Sequence, residues 1–184
     1  VSRAAFADFQ QQLAAYPSTD VRDRQAVARM SAFVASQPQA FGRDPQTSHV
    51  TGSAVIVDQE RQHLLLTHHR KLDIWVQLGG HCDGIADPRF VAQKEAYEES
   101  GLPWLRLLSP QIFDLDIHDI PARRQDAAHE HYDVRYLFEA DRADPFAVSA
   151  ESKDLAWVPL DRLEDFTREE SVLVFRRKLR AGGL

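Results

Sequence analysis

At 184 residues, 43% hydrophobic and 27% charged, the chain has the make-up of one globular domain, or of one domain with an added piece, and is long enough for a real core. Its net charge of −6 speaks against broad nucleic-acid binding through phosphates, and no run of about 18 apolar residues argues for a membrane span. No signal-peptide pattern is evident, and the single Cys82 excludes an internal disulfide framework and suits a reducing cytoplasm.

Residues 1–48 read as a helical extension ahead of a domain spanning 49–184. Phe6, Phe9, Leu13 and Tyr16 stand at helical spacing, and Pro17-Ser18-Thr19-Asp20 breaks that run and caps the next. Val27, Met30, Phe33 and Val34 form a second apolar stripe that ends near Pro38. This helical pair has three uses open to it: packing on the core, covering a cleft, or forming a homodimer contact. From residue 50 the pattern turns to strands. Residues 50–57 and 63–67 predict a hairpin about a turn at 58–61, and 74–78 a short strand. Residues 111–118 and 129–140 are long strand candidates, 155–158 a shorter one, and a closing helix runs over about 169–180.

The segment 80–102, GHCDGIADPRFVAQKEAYEESGL, carries the most chemistry. Asp87-Pro88 is a strong helix start, with Asp as N-cap and Pro at the first helical position, and Gly101 is a natural stop. On that helix Glu95, Glu98 and Glu99 stand at i, i+3 and i+4 and share one face. Like charges so placed repel by roughly 0.2–0.5 kcal/mol per pair. A divalent cation turns the repulsion into a site, because Mg²⁺ takes carboxylate oxygens together with substrate phosphate oxygens. Ala92 and Ala96 form a stripe of small residues that would let the helix approach a sheet closely.

This segment resembles the Nudix box, G-x5-E-x7-R-E-U-x-E-E-x-G-U, with Gly80, Glu95, Glu98, Glu99, Gly101 and Leu102 in register. Two positions depart: the family's first glutamate is Ala86 here and its arginine is Lys94. In the family those two side chains brace one another, so their joint loss is coherent. The resemblance implies an α/β fold, the Nudix α/β/α sandwich with a mixed sheet. It implies Mg²⁺ or Mn²⁺ held by Glu95, Glu98 and Glu99 with the Gly79 carbonyl, and hydrolysis of a small-molecule diphosphate in the cytoplasm. One of the glutamates, or a metal-bound hydroxide, would then be the base.

A second constellation is built of histidines. His129, His131 and Asp133 share one face of a predicted strand, and Asp114, Asp116 and His118 share one face of the strand before it. If the two pair as a hairpin, imidazoles and carboxylates meet across strands, as a solvated surface or as a metal and phosphate site. The segment from His49 to Ile56 also resembles the first core strand of isopentenyl-diphosphate isomerases, a Nudix-fold group, and Gly80-His81 resembles their Gly-His at the box opening. That resemblance implies a second site for Zn, Mn or Fe at His49, His81, His129 and His131. It stops short of the isomerase reaction, because the catalytic cysteine of that group falls on Gly79.

His69, Arg70 and Lys71 follow a strand and precede Trp75; the cations would hold an outer phosphate or form a simply solvated basic turn, and the indole would pack in the core or stack on a base. The sequence therefore predicts a Nudix hydrolase. The alternatives are an isomerase-like metal enzyme and a ligand-sensing domain without catalysis, the latter favoured by Ala86 and Lys94.

Overall fold

The structure is a computed structural model that describes residues 3–18, 20–44, 46–122 and 126–182, so Thr19 of the predicted cap lies outside the described residues. Helices α1 (Arg3–Ala15) and α2 (Val21–Ser36) precede β1 (His49–Asp58), β2 (His63–His69), β3 (Trp75–Val76) and β4 (Leu78–His81). Helix α3 (Pro88–Ser100) follows, then β5 (Arg106–Leu107), β6 (Asp114–Ile120), β7 (His129–Ala140) and β8 (Ser152–Pro159). A 3-10 turn over Leu160–Asp165 leads into α4 (Glu170–Ala181). The strands pair in the order β3-β2-β1-β7-β5, with β4 also on β1, β6 on β7 and β8 on β2. The predicted α/β architecture, a mixed sheet flanked by helices and preceded by α1 and α2, is the one observed.

Chain contacts divide the protein into two compact units, with β1, β4, α3 and β7 contributing residues to both. The first holds α1, α2, the start of β1, β4 from Gly79 onward, the first turn of α3, β6 and the first part of β7. Its helices are buried along the stripe that sequence marks, through Phe9, Leu13, Met30 and Val34, while Val27 and Phe33 are not fully covered. Phe33 stacks on Tyr132 at 4.0 Å, and Phe6 and Phe9 meet Phe41 edge-on at 6.0 and 5.6 Å. Asp20 caps α2 by accepting from the Asp23 amide at 2.8 Å. Helix α3 begins as predicted, the Asp87 carboxylate accepting the Phe90 amide at 3.1 Å. Its first turn presses on β1 at Gly52, where a Cβ would stand 2.4 Å from the Pro88 carbonyl oxygen. Hence glycine is required there.

The second unit holds the rest of β1, β2, β3, the remainder of α3, β5, the end of β7, β8 and α4. The β1–β2 hairpin forms as predicted, with Ile56 opposite Leu65. Asp58 accepts the Gln62 and His63 amides at 2.8 and 3.0 Å, and Arg61 takes the left-handed conformation at φ 55°. Leu64, Leu65 and Leu66 of β2 are buried, and β8 pairs along the length of β2. Gly101 ends α3 at φ 63°, its amide donating to the Tyr97 carbonyl. Three elements differ from the sequence expectation. The strand expected over 74–78 is two, β3 and β4, so Gly80-His81 of the box is strand rather than loop. Strand β6 begins at Asp114 and runs to Ile120, and β5 is a two-residue strand too short to read from a pattern. Among the described residues no helix is long and apolar enough to cross a membrane.

Candidate functional site

Glu95, Glu98 and Glu99 lie on the last two turns of α3, and the helix puts them on one face as their spacing requires. Lys94 fills the box's arginine position and reaches both neighbours, its ammonium 3.0 Å from Glu95 and 2.8 Å from Glu98. These bonds raise the lysine above its ordinary pKa, that to Glu98 first, so it remains charged. The carboxylate face thus already holds one cation. Glu98 is 59% exposed and Glu95 18%, a gradient from solvent inward. Ala86, at the position of the missing first glutamate, is buried and offers no donor. Ala92 and Ala96 are fully buried, as the small-residue stripe predicts.

The histidines converge within the first unit. His49 opens β1, His81 ends β4, and His129 and His131 occupy alternate positions of β7. Ring centroids lie 4.9 Å apart for His49–His81, 5.1 Å for His49–His129 and 4.7 Å for His49–His131. His81 stands 5.2 Å from His131. Ligand nitrogens of His49, His129 and His131 all lie within 4.8 Å of one another. Backbone contacts hold the strands in place: the Val50 amide donates to the Ala40 carbonyl at 2.7 Å, and the Gly84 amide to that of Phe41 at 2.6 Å. The Ser48 hydroxyl accepts the Glu130 amide at 3.0 Å.

Burial disfavours the charged form of these rings and sets their protonation. His49 is held below its ordinary pKa by burial. His81 is pushed down to about 4 by burial, with Arg43 and His49 adding repulsion. His131 falls to about 2, by burial first and then by His49 and His118. At neutral pH these imidazoles are uncharged, the form that ligates metals.

Strands β6 and β7 pair as the polar stripes suggest, with Asp116 opposite Asp133 and His118 opposite His131. His118 therefore joins the cluster, 5.5 Å from His131, with its Nδ1 3.0 Å from the Asp116 carboxylate. Sequence reasoning placed His118 on the correct face but left it out of the ligand set; the cross-strand register was the missing information. Next to the cluster lies a buried ionic platform. Arg135 donates to Asp133 at 2.7 Å, to Asp114 at 2.8 Å and to Asp116 at 3.2 Å. Arg22 of α2 reaches Asp114 at 2.8 Å and Asp116 at 3.1 Å, and the hydroxyls of Thr51 and Ser53 both donate to Asp133. Arg135 sits in a run of mostly apolar β7 residues, and its role there carried no sequence signal.

The remaining expected residues occupy the second unit, Gly79 excepted. Arg70 donates to the carbonyls of Ala150 and Ser152 at 3.0 and 2.6 Å, and His69 Nδ1 accepts the Leu72 amide at 3.2 Å. Lys71 is exposed. Trp75 is half-buried between His68, stacked at 5.0 Å, and Phe166, edge-on at 5.3 Å. Cys82 is fully buried, a loop filler rather than an exposed thiol. Gly79 lies on β4 in the first unit, where a Cβ would stand 2.2 Å from the Ser53 hydroxyl and 2.8 Å from the Gly52 carbonyl oxygen. The position of the isomerases' catalytic cysteine has no room for a side chain.

No curated protein sequence matches the chain. In fold it is similar to a Nudix hydrolase from M. smegmatis, RenU, at TM-score 0.55 and 17% identity, over 74% of this chain and 86% of that one. It is also similar to a C. elegans Ap4A hydrolase, at TM-score 0.53 and 16% identity, over 73% of this chain and 98% of that one. The NUDIX domain of Shewanella oneidensis NrtR, solved with ADP ribose, matches at TM-score 0.52 and 18% identity, over 84% and 98%. The family model of the NUDIX domain matches residues 47–178, well over half of the sequence, and the chain belongs to the Nudix family.

Proposed function

We propose that the protein is a metal-dependent Nudix hydrolase that cleaves a diphosphate linkage in a nucleotide or nucleoside-diphosphate-linked small molecule. The observation that carries this is the carboxylate face of α3, where Glu95 and Glu98 already bracket the Lys94 ammonium. Hard oxygens on one helix face fit Mg²⁺ or Mn²⁺, and an ammonium held between two of them marks where positive charge is stabilised. Glu95, Glu98 and Glu99 would hold the ion. Such an ion would neutralise diphosphate charge and lower the pKa of a water beside it. One of the three glutamates would accept a proton from water. Lys94 would compete with the ion for Glu95 and Glu98 and would remain at hand to balance charge. Lys71 and Trp75 are candidate substrate contacts; Arg70 and His69 would contribute through the loop they brace. A buried lone thiol is in keeping with a cytoplasmic protein.

A second reading has one observation in its favour. Lys94 clamps the carboxylates while buried Ala86 replaces the acid that would hold an arginine, an arrangement that would also suit a domain that binds a nucleoside-diphosphate ligand without cleaving it. Isomerase chemistry is disfavoured by the closed space at Gly79. Incubation with dinucleoside polyphosphates, ADP-ribose, nucleotide sugars and prenyl diphosphates, with Mg²⁺ or Mn²⁺, separates the readings. Hydrolysis releases a monophosphate or phosphate, and metal-dependent release from at least one compound is expected. Binding without product would favour the sensor, and conversion with conserved mass would overturn hydrolysis.

A further inference from the structure

We infer that His49, His129 and His131 form a transition-metal site, selective for Zn²⁺ over Mg²⁺, with the fourth position taken by His81, His118 or a ligand oxygen. Three independent features of the first unit carry this.

The donors converge. Their nitrogens lie within 4.8 Å of one another, and tetrahedral Zn²⁺ at about 2.0–2.1 Å requires donors about 3.3–3.4 Å apart, so movement of under about 1 Å per ring closes the site.

The tautomers are fixed. His49 Nδ1 lies 2.9 Å from the Thr47 carbonyl and His129 Nδ1 2.8 Å from the Ala127 carbonyl. A carbonyl only accepts, so each Nδ1 carries the proton and each Nε2 presents a lone pair. Metal-ligating histidines make this second bond as a rule, and the Asp116–His118 contact is its carboxylate form.

One donor has nothing else to do. His49 is 2% exposed, and its Nε2 is buried with no hydrogen-bond partner. Buried polar atoms of folded proteins are paired with few exceptions, and this one sits among the rings of His81, His129 and His131. A phosphate would need a donor at this point, whereas the His49 tautomer presents a lone pair there. Five of the chain's eight histidines gather here, which makes incidental placement a poor explanation.

The site stands independently of the hydrolase reading, since imidazoles and carboxylates select different ions. Its test uses untagged full-length protein, stripped with chelator and dialysed against Zn²⁺ in excess Mg²⁺, with bound metal measured by mass spectrometry. About one Zn²⁺ per chain is expected in the unaltered protein and in Glu98→Gln/Glu99→Gln alike. Co²⁺ should give the strong visible absorption of a four- or five-coordinate nitrogen site. Loss of His49 can unfold the strand start, so the deciding variant is His129→Ala at a half-buried position, which should weaken Zn²⁺ by about 100-fold with its circular dichroism unchanged. Less than a tenth of an equivalent of Zn²⁺, a weak octahedral Co²⁺ spectrum, or unaltered affinity in His129→Ala would each overturn the site.

Discussion

The acidic face of α3 and the imidazole cluster are both arrangements of metal-ligating groups, and they are built on opposite plans. The carboxylates are graded from half-buried to exposed, hang from one helix, and are balanced by the Lys94 ammonium. The imidazoles come from four strands, are buried or half-buried, and two have their protons pinned by backbone carbonyls. Exposed, loosely held groups suit an ion that enters with a substrate and leaves with product, since Mg²⁺ keeps part of its water shell. Buried groups with fixed tautomers suit an ion that stays. The difference teaches that one motif can be read from spacing along a helix, while the other exists only through strand register.

The largest expected effect falls on the carboxylate side. Glu98→Gln or Glu99→Gln should lower turnover by about 100-fold or more, because loss of one charged ligand weakens both the ion and the activation of water. The thermal midpoint of the Glu98 variant should move little, since that side chain is exposed. Steady-state kinetics with calorimetry check both, and near-normal turnover with metal still required would move the active carboxylates elsewhere.

Next in size is the ionic platform beside the histidines. Arg135→Met leaves Asp114 and Asp133 buried without their shared cation, which costs roughly 3–5 kcal/mol. The midpoint should then fall by on the order of 10 °C. A fall of only a degree or two would show that water or movement of Arg22 replaces it.

The pH dependence of chelator-treated protein distinguishes the two regions further. His81 and His131 are depressed to about 4 and about 2, below the 6.5 of a free imidazole. Between pH 6.5 and about 4 the unfolded chain therefore binds more protons than the folded one, and stability is lost as pH falls through that window. Thermal midpoints measured from pH 7.5 to 4.5 should drop steadily, and less steeply in His131→Ala. A flat profile would mean that the rings are protonated in the fold.

The smallest expected effect belongs to Lys94. As an exposed i,i+4 pair with Glu98 it contributes on the order of 0.5 kcal/mol or less. Lys94→Ala should leave the thermal midpoint within about 2 °C. It should also lower the Mg²⁺ concentration for half-maximal rate by about two- to threefold, since the ion no longer displaces an ammonium. A rise instead would show that the lysine orients the glutamates, as the family's arginine does.

Most of the fold was legible because its punctuation is local. Asp20, Asp87 and Gly101 act at the helix ends where their chemistry places them, and Phe9 and Leu13 of the α1 stripe are buried at their spacing. The box helix followed from one segment. What sequence did not supply came from pairing over distance. Strand β5 has two residues and no period, the break between β3 and β4 leaves no turn residue, and Arg135 has no local signal of the three carboxylates it joins. His118 lay in plain view, but only the register opposite His131 brings it to the cluster.

The separation of the two sites is tested most directly by measuring turnover and bound Zn²⁺ on the same preparations of two variants. Glu98→Gln/Glu99→Gln should lose turnover by about 100-fold and keep its Zn²⁺, whereas His129→Ala should lose Zn²⁺ when dialysed at the concentration that saturates the unaltered chain. If the carboxylate variant loses Zn²⁺ together with turnover, or if His129→Ala retains a full equivalent, one shared ion or a different ligand set replaces the two sites.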